Sequence, residues 1–316
     1  MADGKWVPGL TAETPVAEAA AAVLAARLEV VRHYLPLAAE KPYEDAEYVH
    51  QLRVGTRRAG AALRVFRDCL PRKQHKATKL YLRALRRAAG DARDWDVFLL
   101  GLPGAKPLAA ATGKPALDFL IGYGMGERSA AQARLASAAE LSGPGFAEES
   151  AALSAAAHAP GGDDPPGNFG DLAAVQFGRL IRDFDDAVKA NPTEPAALHQ
   201  LRILGKRARY ALEIFADAFP PAFKDSLYPA IERVQEILGE IQDAAVGLER
   251  LAALRDRVKQ TVPRELPRLR KGIEGLARVL RAKVPAGQKA FQAWRKEWTA
   301  LVEGLQLEIA AATVVA

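Results

Sequence analysis

Residues 50–71 read HQLRVGTRRAGAALRVFRDCLP, and residues 199–220 read HQLRILGKRARYALEIFADAFP. The two stretches align without a gap at an offset of 149, and 11 of the 22 positions are identical. The same offset carries into the next predicted helix, where Gly90-Asp-Ala-Arg-Asp94 meets Gly239-Glu-Ile-Gln-Asp243. A looser match pairs Arg27 with Arg179 in the first helix of each half. An ungapped match of this length identifies a duplicated helical unit.

Each copy has two faces, because residues three and four apart share one side of a helix. Leu52, Ala59, Leu63, Phe66 and Leu70 form an apolar stripe, matched by Leu201, Ala208, Leu212, Phe215 and Phe219. A second stripe holds His50, Arg53, Arg57 and Arg64, with His199, Arg202, Lys206 and Arg209 as its counterpart. The helix after the first copy adds Arg72, Lys76, Lys79, Arg83, Arg86 and Arg87 at similar spacing. The copies differ at two sites: Gly60 stands opposite Arg209, and Arg64 opposite Glu213.

The rest of the 316-residue chain agrees with a helical reading. Alanine, the best helix former and a poor strand former, occurs 64 times. Helical periodicity predicts helices over 15–38, 44–70, 73–99, 115–141, 170–190, 194–219, 222–259, 264–283 and 286–312. The Gly/Pro-rich stretch 159–169 reads as a linker. The expected organisation is one all-α domain over 1–316, with a first bundle at 15–158 and a second at 170–312. The segment before Pro15 lacks the pattern of a secretory signal, and no apolar run is long enough to span a bilayer, so a cytoplasmic protein without membrane contact is expected. A lone cysteine, Cys69, excludes an intramolecular disulfide framework.

Net charge is only +6, but its distribution is uneven. Residues 50–93 carry 13 Lys/Arg against 2 Asp/Glu, or +11, and residues 255–296 carry 13 against 3, or +10. The remainder therefore sums to −15. A merely solvating face drifts between repeats, whereas the His, Arg and Arg/Lys of the stripe hold their spacing, which points to a polyanion site. The 255–296 segment reads equally well as a solvated face.

The doubled H-Q-L-R-(V/I)-x-x-(R/K)-R, each followed by Gly-(Asp/Glu)-x-x-Asp, resembles the CHAD family, the conserved histidine α-helical domain. The resemblance implies two four-helix bundles related by pseudo-twofold symmetry, with a basic groove between them that binds inorganic polyphosphate, and in some members a location on polyphosphate granules. It implies phosphate contacts from His50, Arg53, Arg57, Arg64, His199, Arg202, Lys206 and Arg209. The flanking cations Lys79, Arg83, Arg87, Arg27 and Arg179 complete the candidate set. No catalytic residue, metal ligand or cofactor is expected, because the stripe has no paired carboxylates and no Walker-type loop.

Other readings compete. Nucleic acid shares the phosphate chemistry, but the basic stripe has no interleaved aromatics for stacking. A polyphosphate-processing enzyme would need a nucleophile or bound metal. The histidines could donate to Asp94 or Asp243, Arg58 and Arg207 could form structural ion pairs, and Gly90 and Gly239 could serve a turn or a close helix approach. Cys69, Trp95, Trp294 and Trp298 read as packing residues, and His75 as a possible addition to the basic cluster. The carboxylates Asp183, Asp185 and Asp186 crowd one turn without a histidine partner. Histidine titrates near about pH 6.5, so a bound polyanion is expected to raise its pKa and strengthen binding in mild acid.

Overall fold

A computed structural model describes residues 4–156 and 167–315, with side chains described through Gly304. The elements among these residues are helical: α1 (Val16–Glu40), α2 (Glu47–Val65), α3 (Arg72–Gly101), α4 (Lys106–Ala109), α5 (Lys114–Ala156), α6 (Phe169–Lys189), α7 (Pro195–Phe215), α8 (Tyr228–Thr261) and α9 (Leu266–Val315). The protein is all-α, as its alanine content and periodicity predict.

Local chemistry sets several helix ends. The Asp45 carboxylate accepts the Glu47 N–H at 2.8 Å as α2 begins, and the Asn168 side chain accepts the Asp171 N–H at 2.9 Å at the start of α6. After α6 the chain turns at Asn191, whose φ of 49° is a left-handed conformation that asparagine tolerates. Proline opens α7 at Pro195.

Two expected breaks do not occur. Pro144 lies inside α5, which continues to Ala156, and Pro285 lies inside α9, which joins the helices read as 264–283 and 286–312. An interior proline costs about 3 kcal/mol. In α9 the inward positions Leu269, Ile273, Leu276, Gly287, Phe291, Trp294 and Trp298 keep helical spacing across Pro285, and all are buried. Burial of one large apolar side chain contributes about 1.5–3 kcal/mol, so anchors on both sides outweigh the local defect.

The helices sort into two compact units: Met1–Leu100, Gly122–Arg179 and Tyr210–Phe219 in one, and Gly101–Ile121, Leu180–Arg209 and Pro220–Ala316 in the other. These boundaries differ from the halves 15–158 and 170–312, because α5, α6 and α7 each contribute residues to both units. Residues 159–166 of the expected linker lie outside the described residues. Its last part is tied down: the Phe169 N–H donates to the Thr14 carbonyl at 2.8 Å and Gly170 to Ala12 at 2.8 Å.

In the first unit α1 packs along α2. Phe66 stacks on Phe169 at 6.4 Å, and Phe169 packs at a tilt against Phe215 at 5.3 Å, between ring centroids. In the second unit α8 packs along α9. Its aromatic centre joins Phe184, Phe291, Trp294 and Trp298, with the Trp294 N–H donating to the Ala230 carbonyl at 2.8 Å and the Trp298 N–H to Asp185 at 2.9 Å. Trp294 and Trp298 are thus core residues, while Trp95 is half-buried against Phe98 and Tyr123. Cys69 is half-buried on the short turn after α2 rather than in the core, and burial raises its thiol pKa.

Candidate polyanion site

The apolar stripe of the first motif anchors α2. Leu52, Ala59, Leu63 and Phe66 are buried, so the opposite edge carries Arg53 and Arg57 toward α3. There the two guanidiniums share an open cleft of about 350 Å³ with Arg86, Arg87, Gly90, Asp91 and Asp94. Four arginines and two aspartates give this lining a formal +2. Arg53 Nη2 is 3.1 Å from Asp94 Oδ1, which holds the guanidinium in place on the cleft wall.

The electrostatics of the cleft favour an anion. Burial, followed by repulsion from Arg57 and Arg83, lowers the Arg86 pKa from its ordinary value. His50 is half-buried nearby and its pKa is also lowered: burial is the main cause, Arg93, Arg53 and Arg57 add to it, and Glu47 opposes them. The competing reading, in which a histidine donates to Asp94, is not what occurs: Asp94 pairs with Arg53. His75 lies outside the cleft lining, where its Nε2–H donates to the Leu63 carbonyl at 3.1 Å. Burial dominates its lowered pKa as well.

The second copy is built differently. His199 and Arg202 line a separate cleft of about 180 Å³ within the second unit. His199 Nδ1 lies 3.3 Å from Gln242 Oε1, and not on Asp243 as one reading had it. Arg209 is 3.5 Å from Glu232, and Lys206 is half-buried beside it on α7. At the offset of 149, Lys79, Arg83, Arg86 and Arg87 correspond to Tyr228, Glu232, Gln235 and Glu236. The basic α3 face therefore has no counterpart on α8.

The remaining candidates scatter. Lys79, Arg83 and Arg64 are exposed on α3 and α2 but outside the cleft lining, and Arg179 is exposed on α6. Arg27 differs most from expectation: it is 2% exposed and donates to the carbonyls of Lys5 at 2.9 Å and Glu213 at 3.3 Å. It holds the N-terminal segment and α7 against α1 instead of meeting a ligand. Arg58 also has a structural partner, with its Nε 2.7 Å from the buried Glu213 carboxylate. Asp185 is engaged by Trp298 and by Lys189 at 2.7 Å.

Gly90 and Gly239 lie inside α3 and α8, not at turns. A Cβ on either would meet the guanidinium of Arg53 or Arg202 at 3.7 Å, an ordinary contact. Close approach therefore demands glycine at neither position. Arg86, on the basic helix edge by spacing but outside the phosphate-contact set, lines the cleft itself. Its spacing of four from Gly90, on the helical face of Arg83, was the signal that could have included it.

Three comparisons bear on this arrangement. The family model described as the CHAD domain matches residues 22–252. The crystal structure of the CHAD domain from the plant Ricinus communis is similar with a TM-score of 0.72 at 25% identity, covering 92% of this chain and 95% of that one. PptA from Streptomyces chartreusis is similar with a TM-score of 0.68 at 20% identity, covering 90% of this chain and 100% of that one. A comparison with curated proteins gives no match.

Proposed function

The chain belongs to the CHAD domain family, and we propose that it binds inorganic polyphosphate through the cations of its two H-Q-L-R helices without catalysing a reaction on it. The observation that carries this reading is the α2–α3 cleft, where Arg53, Arg57, Arg86 and Arg87 converge on one open space. The association of the family with polyphosphate supports it. Arginine offers a planar fork of donors that matches phosphate oxygens, and rigid helices limit the order that must be created on binding. A longer polymer engages more of these cations and gains by effective concentration, so affinity should grow with chain length. Counterion release makes the binding steeply salt-dependent. We place the protein in the cytoplasm, on polyphosphate granules where these form.

A titration with polyphosphates of graded length tests the reading. Parent protein should bind longer chains more tightly, and Arg53→Ala combined with Arg202→Ala should weaken binding by at least about tenfold, the loss of roughly one charge-assisted contact. Equal affinity for parent and double variant would overturn it. Release of phosphate during the incubation would overturn the non-catalytic part alone. Tighter binding of duplex DNA than of polyphosphate at physiological salt would transfer the site to nucleic acid.

A further inference from the structure

The second motif keeps its histidine and arginine but sets them beside an apolar wall. Leu198 of α7, Leu238, Ile241 and Leu248 of α8, and Val284 of α9 form an aliphatic wall in the cleft that His199 and Arg202 border. At the positions of Leu238 and Ile241 the first copy has Ala89 and Ala92. The α8 copy thus has larger aliphatic side chains at these positions and lacks the arginines that α3 carries. Leu248 and Val284 remain partly exposed, so the wall is not closed by the protein's own side chains.

Size and chemistry together define a ligand. An aliphatic cavity of about 150 Å³ accommodates benzene, and this cleft measures about 180 Å³. At its edge, Nδ1 of His199 lies against Gln242 Oε1 at 3.3 Å. With Nδ1–H donated there, the imidazolium form presents Nε2–H as a second donor for a phosphate oxygen. Arg202 supplies a fixed positive charge on the same border. A bare phosphate chain gains nothing from the aliphatic wall, whereas an ester group that covers it removes apolar surface from water.

We infer that the α7–α8–α9 cleft binds phosphate monoesters carrying a compact apolar group of phenyl size, with the phosphate on His199 and Arg202 and the apolar group against Leu238, Ile241 and Leu248. This inference rests on the reading of His199 and Arg202 as phosphate ligands and adds an organic substituent to what they accept.

Calorimetric titration of the full chain with phenyl phosphate, inorganic phosphate and benzyl alcohol tests it, with polyphosphate run in parallel. Phenyl phosphate should bind at least about tenfold more tightly than either of the other small molecules, the effect of burying one ring face. Its heat-capacity change should be more negative than that of inorganic phosphate. Ala245 also lines the cleft, and Ala245→Phe, which fills it, should abolish the preference for phenyl phosphate over inorganic phosphate. Leu248→Gln, at a partly exposed position, should reduce the preference with helical circular dichroism retained. Equal binding of phenyl phosphate and inorganic phosphate overturns the inference, as does a preference that survives both variants. If polyphosphate binds normally in either of those cases, the inference fails alone. If no phosphate species binds and Arg202→Ala changes nothing, the phosphate-ligand reading fails with it.

Discussion

His50 shows how one residue reports on the field around it. Its pKa is lowered first by burial and then by Arg93, Arg53 and Arg57. In the free protein it is therefore neutral at pH values where an exposed histidine is already half protonated. The unfolded chain takes its proton first as pH falls through about 6.5, so this residue removes stability in acid. A bound polyanion cancels the repulsion from the arginines and raises the pKa. Protons are then taken up on binding, in the window between the lowered free value and the raised bound value. Polyphosphate affinity should rise as pH falls through that window and level off below it. In His50→Gln the rise should shrink, and an unchanged pH profile in the variant would remove His50 from the site. Glu213 shows the limit of reading residues singly. It stands where the first copy has Arg64, yet its buried carboxylate pairs with Arg58 at 2.7 Å. The sequence placed Arg58 off the basic stripe, but only packing shows which acid it meets.

At the scale of elements, glycines separate site from scaffold. Gly90 lies in α3 under the Arg53 guanidinium with room for a Cβ at 3.7 Å. Gly287 of α9 has no such room, since a Cβ there would meet Ile241 Cγ1 of α8 at 2.5 Å. Gly90→Ala should therefore stabilise the protein by about 0.5–1 kcal/mol through helix propensity. Gly287→Ala should destabilise it by about 1–3 kcal/mol through overpacking. Opposite shifts in thermal midpoint are the expected result, and a loss of stability in Gly90→Ala would mean that the α2–α3 cleft tolerates no side chain at its floor. The repeat marked Gly90 and Gly239 as special, whereas the tight contact between α8 and α9 falls on a glycine that no motif contains. The continuous α9 makes the same point. Its apolar spacing across Pro285 is legible in the sequence, and burial on both sides of the proline outweighs the local helix defect.

Over the whole molecule, the two copies of one motif carry unequal charge. Arg53 and Arg57 share their cleft with Arg86 and Arg87, while Glu232 and Glu236 stand where the second copy would need Arg83 and Arg87. Arg209 is accordingly paired with Glu232 at 3.5 Å. Polyphosphate binding should depend more on the first copy than on the second. Substituting Arg57 and Arg86 together by alanine should weaken it at least about tenfold more than substituting Arg202 and Lys206, and should flatten the salt dependence by about two contacts. Equal losses from the two pairs would show that the acidic residues of α8 do not offset their neighbours.

The amino-acid sequence by itself determined the helical class, the repeated motif and the helix edge on which its cations lie, because helical spacing and residue type are local properties. It also determined that positive charge is concentrated on a few helices. Tertiary structure alone decided which of those cations share a space. It buried Arg27 against backbone carbonyls, paired Arg58 with the buried Glu213, brought Arg86 onto the cleft of Arg53, and set His199 and Arg202 beside an aliphatic wall. Such outcomes depend on which faces of distant helices meet, and a guanidinium becomes a core tie or an open anion ligand according to whether carbonyls, carboxylates or solvent lie across from it.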